Sequence, residues 1–244
     1  MNDRIQLLGL PLDPVDLGGA LDWAGARLSG GEPAQIVTLN PELVVRSRRD
    51  AKLHRAISAA ELVTADGVGI VWAARRLCNL ELPGRVTGVD LTTALLEHFG
   101  ERLRVFFLGG KPGVAATAAA RAASLWDTKV AGVQHGYFDD EETVVRAVRA
   151  SGADLLLAGL GERQETFLHR HKQELGVPLS IGVGGTLDVL SGRVRRMPTW
   201  SQRLGLEWLL RVGGDPKRWP RALRLARFVL LVEAARRRGG CCGR

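Results

Sequence analysis

The sequence predicts an α/β protein with a Rossmann-like, mainly parallel sheet flanked by helices and a basic helical C-terminal appendage. Short apolar runs alternate with helical patterns, and several of the runs end in glycine. Strands that alternate with helices at this spacing form right-handed βαβ units, so their strands lie parallel. Charge marks the appendage, because residues 193–244 carry 14 Lys or Arg against 3 Asp or Glu, whereas residues 1–192 carry 20 against 23.

Each element follows from its local pattern. The β-rich runs predict strands at 36–40, 61–67, 104–110, 129–136, 154–161 and 179–185. The stretches between them predict helices at 41–59, 88–99, 113–125, 140–150 and 164–174. The first of these begins at Pro41, a residue suited to a first helical turn. Beyond residue 193 strand patterns stop, and two helices are predicted at 196–213 and 217–237 around a Gly-Gly-Asp-Pro break.

The residues that follow the predicted strands are expected to share one rim. In parallel α/β sheets, ligands bind beyond the carboxyl ends of the strands. The polar and glycine residues at these ends are Thr38, Asn40, Asp66, Gly109, Gly110, Gly136, Gly161, Gly184 and Gly185. Their clustering predicts a ligand site more strongly than any single motif does.

Three side chains on this rim carry polar groups suited to chemistry. Thr38 and Asn40 can hydrogen-bond a sugar hydroxyl or an acetamido group. Asn40 also precedes Pro41 and is a good N-cap, so capping and ligand binding both stay open. Asp66 lies between a strand and a glycine turn, where it could act as a general base or only shape the loop through an Asx-turn. No Asp-x-Asp pair accompanies it to favour a metal.

Glycine-rich segments complete the rim. In 107–113 a strand runs into a helix N-terminus, which favours phosphate but is also explained by a tight turn. In 159–165 the Gln and Glu could bind a base or ribose, or could only favour the first helical turn. Asp188 could bind sugar or cap a helix. Neither a P-loop nor a GxGxxG fingerprint is present, which weighs against the alternative of a nucleotide-dependent oxidoreductase.

The basic appendage predicts an anionic partner. Arginine recurs at every third position between apolar residues, at Arg218, Arg221, Arg224 and Arg227. Such a helix could lie in a lipid interface or clamp a diphosphate, or it could pack on the body or join a homo-oligomer. A non-catalytic module that binds nucleic acid or membrane is a second alternative.

Three absences bear on the compartment. The N-terminus has no signal-peptide pattern, and no apolar run reaches the roughly 20 residues of a spanning helix. The three cysteines show no spacing typical of a zinc site or a disulfide framework. We therefore expect a cytoplasmic protein, peripheral on the inner face of the cell membrane.

Several motifs in this order resemble the WecG/TagA/CpsF glycosyltransferase family over roughly residues 36–221. They are T-L-N at 38–40, A-D-G-V-G at 65–69, R-V-T-G-V-D at 85–90, F-L-G-G-K-P-G-V-A at 107–115, G-Y-F at 136–138, Q-E at 164–165, G-V-G-G-T-L-D at 182–188, and R-M-P-T-W to D-P-K-R-W at 196–219. One departure is Glu162-Arg163, where the family shows Pro-Lys.

The resemblance implies roles for named residues. Asp66 would be the catalytic base, Thr38 and Asn40 would line the sugar pocket, and Arg85 would approach the acceptor or the phosphate. Gln164 would contact the nucleotide sugar, and Arg218 and Arg221 would close over the diphosphate. The other substrate-binding positions implied are Gly109, Gly110, Gly136, Tyr137, Gly161 and Asp188.

The resemblance also implies a reaction. An N-acetylhexosamine-type sugar, with N-acetylmannosamine expected, would pass from UDP to an undecaprenyl-diphosphate-linked GlcNAc acceptor in cell-surface polysaccharide or teichoic acid synthesis. The transfer would invert the anomeric centre and need neither metal nor cofactor, with the UDP-sugar as donor substrate. The partners would be this donor, the polyprenyl acceptor and an anionic membrane surface, with a homo-oligomer open and no nucleic acid.

Overall fold

The computed structural model describes residues 3–194 and 219–239, without the side chains of residues 219–222. Its strands in these ranges are β1 Ile5–Leu7, β2 Leu10–Leu12, β3 Ala34–Leu39, β4 Leu62–Ala65, β5 Arg104–Gly109, β6 Lys129–Gln134, β7 Leu155–Gly159 and β8 Leu179–Gly182. Its helices are α1 Leu17–Leu28, α2 Pro41–Ser47, α3 Ala51–Ser58, α4 Val68–Cys78, α5 Gly88–Phe99, α6 Val114–Trp126, α7 Glu141–Ala150, α8 Gln164–Leu175, α9 Thr186–Leu190 and α10 Trp219–Arg237.

Strands β3 to β8 form a six-stranded sheet in the order β4-β3-β8-β7-β5-β6. Every pairing in this sheet is parallel, and helices cover both of its faces. The predicted Rossmann-like fold class is therefore confirmed. All six predicted strands are present, and each observed strand ends one to three residues before the predicted end.

Two local predictions differ from the structure. The stretch 41–59 is two helices rather than one, because the Asp50 carboxylate caps a new helix by accepting from the backbone N–H groups of Lys52 and Leu53. The β1–β2 hairpin was not predicted. Its two-residue turn places Leu8 and Gly9 at φ +53° and +79°. Such turns usually contain Asn-Gly or Asp-Gly, and a turn that begins with leucine is not recognisable from the sequence.

The sheet separates two layers of apolar core. On one face, strand residues such as Ile36, Phe107 and Ile181 pack against α1, α5, α6 and α9. On the other face, α2, α3, α4, the hairpin and α10 cover β3 and β4, while α7 and α8 cover β5 and β7. Adjacent residues Phe107 and Leu108 lie in different layers, as strand alternation requires.

Helix α10 packs on the α/β body. Its Phe228 and Val232 are 0% exposed, and they lie in the cluster formed by α2, α4 and the hairpin. The Arg76 side chain on α4 pairs with Glu233 on α10 at 2.8 Å. Helix α10 thus shares a core with the α/β body. The predicted helix at 196–213 lies outside the described residues, and the division at residue 192 stays a prediction.

One bond of a cysteine was not predicted. Cys78, the last residue of α4, takes part in a disulfide. Its spacing from other cysteines in the sequence did not indicate this bond.

Candidate functional site

The carboxyl ends of the six parallel strands form one edge, and the winding of the sheet reverses between β5 and β7. These two strands are neighbours, but α6, which follows β5, packs on one face, and α8, which follows β7, packs on the other. Such a reversal opens a crevice at the edge of an α/β sheet, where ligands bind. The reversal lies at Gly109 and Gly159, the last residues of the two strands, and this place is called the β5–β7 crevice below.

Glycines let three strand ends meet closely at this crevice. A Cβ on Gly109, whose φ is +136°, would lie 2.3 Å from the Gly159 carbonyl oxygen. The Gly110 N–H donates to the Gly159 oxygen at 3.1 Å, and the Gly136 N–H donates to the Gly110 oxygen at 2.9 Å. This packing explains the glycines at 109, 110 and 136, and their contact with a ligand stays a prediction. A Cβ on Gly161 would meet no atom within 4 Å.

At the far end of the edge, Arg163 holds the loop after β6. Its Nη2 donates to the Gly136 oxygen at 2.7 Å, and its guanidinium carbon lies 4.2 Å from the centroid of the Phe138 ring. Tyr137, between these two residues in the loop after β6, is 66% exposed. Arg163 is one of the two residues that depart from the family pattern, and sequence reasoning gave it no role in supporting this loop.

Gln164 begins α8 and reaches across to the loop after β8. Its side chain is buried, with Oε1 accepting from the Gly184 N–H at 3.0 Å and Nε2 donating to Glu165 Oε1 at 2.7 Å. Glu165 is also buried, whereas the sequence offered it as a possible contact for a base or ribose or as an acid that only favours the first helical turn. In the sequence, only the neighbouring Gln and Glu at 164–165 pointed to this acid. A position in the first turn of a helix does not show whether the side chain is buried.

A small polar cluster lies between the ends of β3 and β8. Thr38 is buried on β3, and a Cβ on Gly88 would lie 3.5 Å from both Thr38 Oγ1 and Thr186 Oγ1. Thr186, the first residue of α9, was not predicted as a site residue. Asp188 lies in the first turn of the same helix and is half-buried.

Asn40 caps α2 in the structure. Its Oδ1 accepts from the Leu43 N–H at 3.0 Å, and its backbone is extended. The capping interpretation is therefore confirmed for this side chain. Its half-buried amide also lies at the carboxyl end of β3, so a contact with sugar stays a prediction.

Asp66 and Arg85 lie near each other at the end of β4. Backbone bonds link Asp66 N to the Leu39 oxygen at 2.8 Å and Val86 N to the Ala65 oxygen at 2.9 Å. The segment before α5 thus returns along the strand end, which sequence spacing alone did not show. Asp66 is half-buried and precedes Gly67, whose φ of +92° turns the chain into α4.

The appendage reaches this edge through an ion-pair cluster. Arg224 of α10 pairs with Glu42 of α2 and, at 3.1 Å, with Glu162. Arg46 donates to the Glu162 carbonyl oxygen at 2.7 Å. Arg218 lies outside the described residues, and the side chain of Arg221 is not described either. The predicted clamp of these two arginines on a diphosphate stays a prediction.

The fold and the edge together define an α/β protein with an extended rim of polar and glycine residues at the carboxyl ends of its strands. Neighbouring strands lie about 4.8 Å apart, so β4 and β5, four spacings apart in the sheet, are separated by about 19 Å. A rim of this length suits an elongated ligand. Among the described residues, no three His, Cys, Asp or Glu side chains converge in a way that could hold a metal ion.

Comparison with known proteins identifies the family. The model of the glycosyl transferase WecG/TagA/CpsF family matches residues 5–240, nearly the whole chain. The chain belongs to this family and is a glycosyltransferase. The oxidoreductase and the non-catalytic module are therefore no longer needed as alternatives.

Proposed function

We propose that this glycosyltransferase moves an N-acetylhexosamine-type sugar, N-acetylmannosamine in the first instance, from UDP to an undecaprenyl-diphosphate-linked GlcNAc. The product would enter cell-surface polysaccharide or teichoic acid synthesis. The observation that carries the proposal is one continuous edge with a carboxylate, Asp66, at one end and a glycine crevice at the other. Between them lie buried polar side chains, Thr38 and Gln164.

The donor would lie along this edge. Its nucleotide would occupy the β5–β7 crevice, with the uracil near the exposed Tyr137 ring. The first turn of the 13-residue helix α6 offers backbone N–H groups and a helix dipole that favour a diphosphate. The sugar would then reach Thr38 and Gln164, and its anomeric carbon would face Asp66.

The chemistry would follow from charge. As the bond between the sugar and UDP breaks, the anomeric carbon gains positive charge and the diphosphate gains negative charge. Asp66 would take the proton from the acceptor hydroxyl as its oxygen attacks from the face opposite to UDP, which inverts the anomeric centre. The helix N-terminus and the arginines Arg218 and Arg221 would stabilise the leaving diphosphate without a metal.

The test is a transfer assay with purified protein. A panel of UDP-sugars would be incubated with a polyprenyl-diphosphate-GlcNAc acceptor in the presence of EDTA, and the lipid product would be resolved by mass. We expect UDP-N-acetylmannosamine to give the fastest transfer and EDTA to have no effect. Activity that EDTA abolishes and Mg²⁺ restores would contradict the metal-independent mechanism.

We propose further that α4 and α10 rest on an anionic membrane surface at its cytoplasmic face. The outer side of α10 exposes Leu223 by 63% and Leu230 by 69%, and Trp72 of α4 is 37% exposed. A groove between the two helices is lined by Trp72, Arg75, Arg76, Leu77, Asn79 and Arg236. Apolar side chains beside arginines are typical of an interfacial helix. No helix among the described residues is long and apolar enough to span a bilayer.

Vesicle flotation tests this membrane contact. The double substitution L223S and L230S is expected to reduce binding to vesicles that contain anionic lipid, because the apolar side chains that would enter the interface are lost. Leu125→Ser on α6, 59% exposed on the other face of the sheet, is the matched control and should bind as the wild type does. Equal flotation of both variants would contradict the proposed surface. Substitution is preferable to deletion of 193–244, which would also remove the buried Phe228.

A further inference from the structure

Two neighbouring side chains, Gln164 and Glu165, lie directly over the carboxyl end of β8. A Cβ at Gly182 would approach Gln164 Nε2 to 2.9 Å and Glu165 Oε1 to 3.0 Å. The Gln164 amide is held at both ends, by Glu165 Oε1 and by the Gly184 N–H. Because Gly184 offers a donor and the Glu165 carboxylate an acceptor, these two bonds fix which end of the amide is oxygen and which is nitrogen.

The Glu165 carboxyl group has few hydrogen-bond partners for a buried acid. Its residue is 2% exposed, and its Oε2 has no hydrogen-bond partner among the described residues. Its backbone oxygen accepts from Gln35 Nε2 at 3.2 Å, and this bond does not involve the carboxyl group. A buried polar group without a partner costs free energy, so folding stability gives no reason for an acid at this place. Among the described residues, its carboxyl group accepts from the Gln164 side chain, and the backbone N–H of Glu165 itself also stabilises the charged form.

We propose that Glu165 is a positioning residue that holds the Gln164 amide in one orientation, so that the second Nε2 hydrogen is presented to an oxygen of the donor sugar. This rests on the proposed function, in which Gln164 contacts the nucleotide sugar. Within the described residues that second hydrogen has no partner. Without Glu165, the amide would keep only the Gly184 contact and could turn away from the ligand.

The ionisation of Glu165 makes this role sensitive to pH. Burial raises the pKa of Glu165 to about 7, while the bond from Gln164 and the charge of Arg46 on α2 act to lower it. Arg46 is the charged group that faces it; β3 contributes the uncharged Gln35, and β8 contributes glycine. As the pH falls through about 7, the carboxylate is protonated and its bond to Gln164 loses its charge assistance, although the neutral carboxyl oxygen can still accept. The KM for the donor should therefore rise on the acid side.

Folding stability should respond to pH in the opposite direction. The pKa of Glu165 is raised in the folded chain from its ordinary 4.5 to about 7, so the folded state holds this proton more tightly than the unfolded state. The contribution of Glu165 to stability is then fully present below about pH 4.5 and is lost as the pH rises through about 7. If Glu165 served folding alone, its protonation would not weaken the binding of the donor.

The kinetic test compares Glu165→Gln with Glu165→Ala in the full-length protein. The glutamine Oε1 can still accept from Gln164 Nε2 without a charge, so E165Q should show a KM that is independent of pH and close to that of the wild type on the acid side. E165A should raise the donor KM about tenfold, the equivalent of one hydrogen bond, with a smaller change in kcat. Glu174→Gln, an exposed carboxylate on the same helix, is the control and should keep the wild-type pH profile. Equal KM values for E165A and E165Q would overturn the proposal.

A second readout does not depend on any enzyme activity. The side-chain NH₂ signals of Gln164 can be assigned in ¹H–¹⁵N spectra by their loss in Gln164→Ala. We expect them to titrate with a midpoint near pH 7 in the wild type, as Glu165 does, and to stay constant in E165Q. Signals that ignore pH in the wild type would overturn the positioning role. A clear titration in a protein that transfers no sugar would uphold the contact and instead refute the proposed function.

Discussion

Replacing Asp66 by Asn is expected to lower kcat by roughly 10²- to 10⁴-fold, the rate effect of a positioned general base. Asparagine has the same shape and cannot take the acceptor proton. Its amide can still fill the half-buried place between β4 and α4, so donor affinity should change little. Steady-state kinetics and calorimetric titration with the UDP-sugar measure the two effects separately.

The control for this substitution is Asp127→Asn. Asp127 is exposed at the C-terminal end of α6, on the opposite edge of the sheet, and its φ of +52° is one that asparagine tolerates. The substitution Asp127→Asn should leave both kcat and donor affinity unchanged. A kcat for D66N equal to that of the wild type would rule out Asp66 as the base, and loss of donor binding would give it a binding role instead.

Replacing Phe228 by Ala is expected to lower the free energy of unfolding by about 3–5 kcal/mol, the usual cost of deleting a buried phenylalanine ring. The Phe228 side chain is 0% exposed, and a Cβ on Gly69 of α4 would lie 3.6 Å from it. Removal of the ring leaves a cavity between α10 and the α2–α4 layer. Urea denaturation followed by circular dichroism measures the change.

Leu230→Ala is the matched control for Phe228→Ala, because it lies on the same helix and is 69% exposed. It should change the unfolding free energy by less than about 0.5 kcal/mol. Equal effects of the two substitutions would mean that α10 does not share the core of the body. The expected difference would instead show that the helix which carries the surface arginines is held in place by apolar burial.

The fold could be predicted from sequence because its signals are local. Apolar runs such as 104–109 and 155–159 are typical of fully buried parallel strands, and glycine or polar residues follow each of them. What the sequence did not predict depends on contacts between distant segments. The β1–β2 hairpin lacks a recognisable turn pair, and the burial of Phe228 against α4 cannot be inferred from the pattern of its own helix.

The candidate site was predicted in outline rather than in its contacts. Thr38 lies next to the last residue of β3, Asp66 follows β4 and Gln164 begins α8, all at the carboxyl edge, as their sequence positions indicated. Thr186 was not predicted as a site residue, and the burial of Glu165 was not predicted, because only the folded chain shows that they lie beside Gly88 and Gly182. The roles of Arg218 and Arg221 rest on the resemblance alone.

The most direct test of the account is a crystal structure of Asp66→Asn with an intact UDP-sugar bound. We predict the uridine in the crevice between β5 and β7, the sugar against Thr38 and Gln164, and the anomeric carbon facing residue 66 with space for an acceptor hydroxyl between them. A donor bound in the reverse direction, with its sugar at the β6 end, or bound away from the carboxyl edge, would contradict the account.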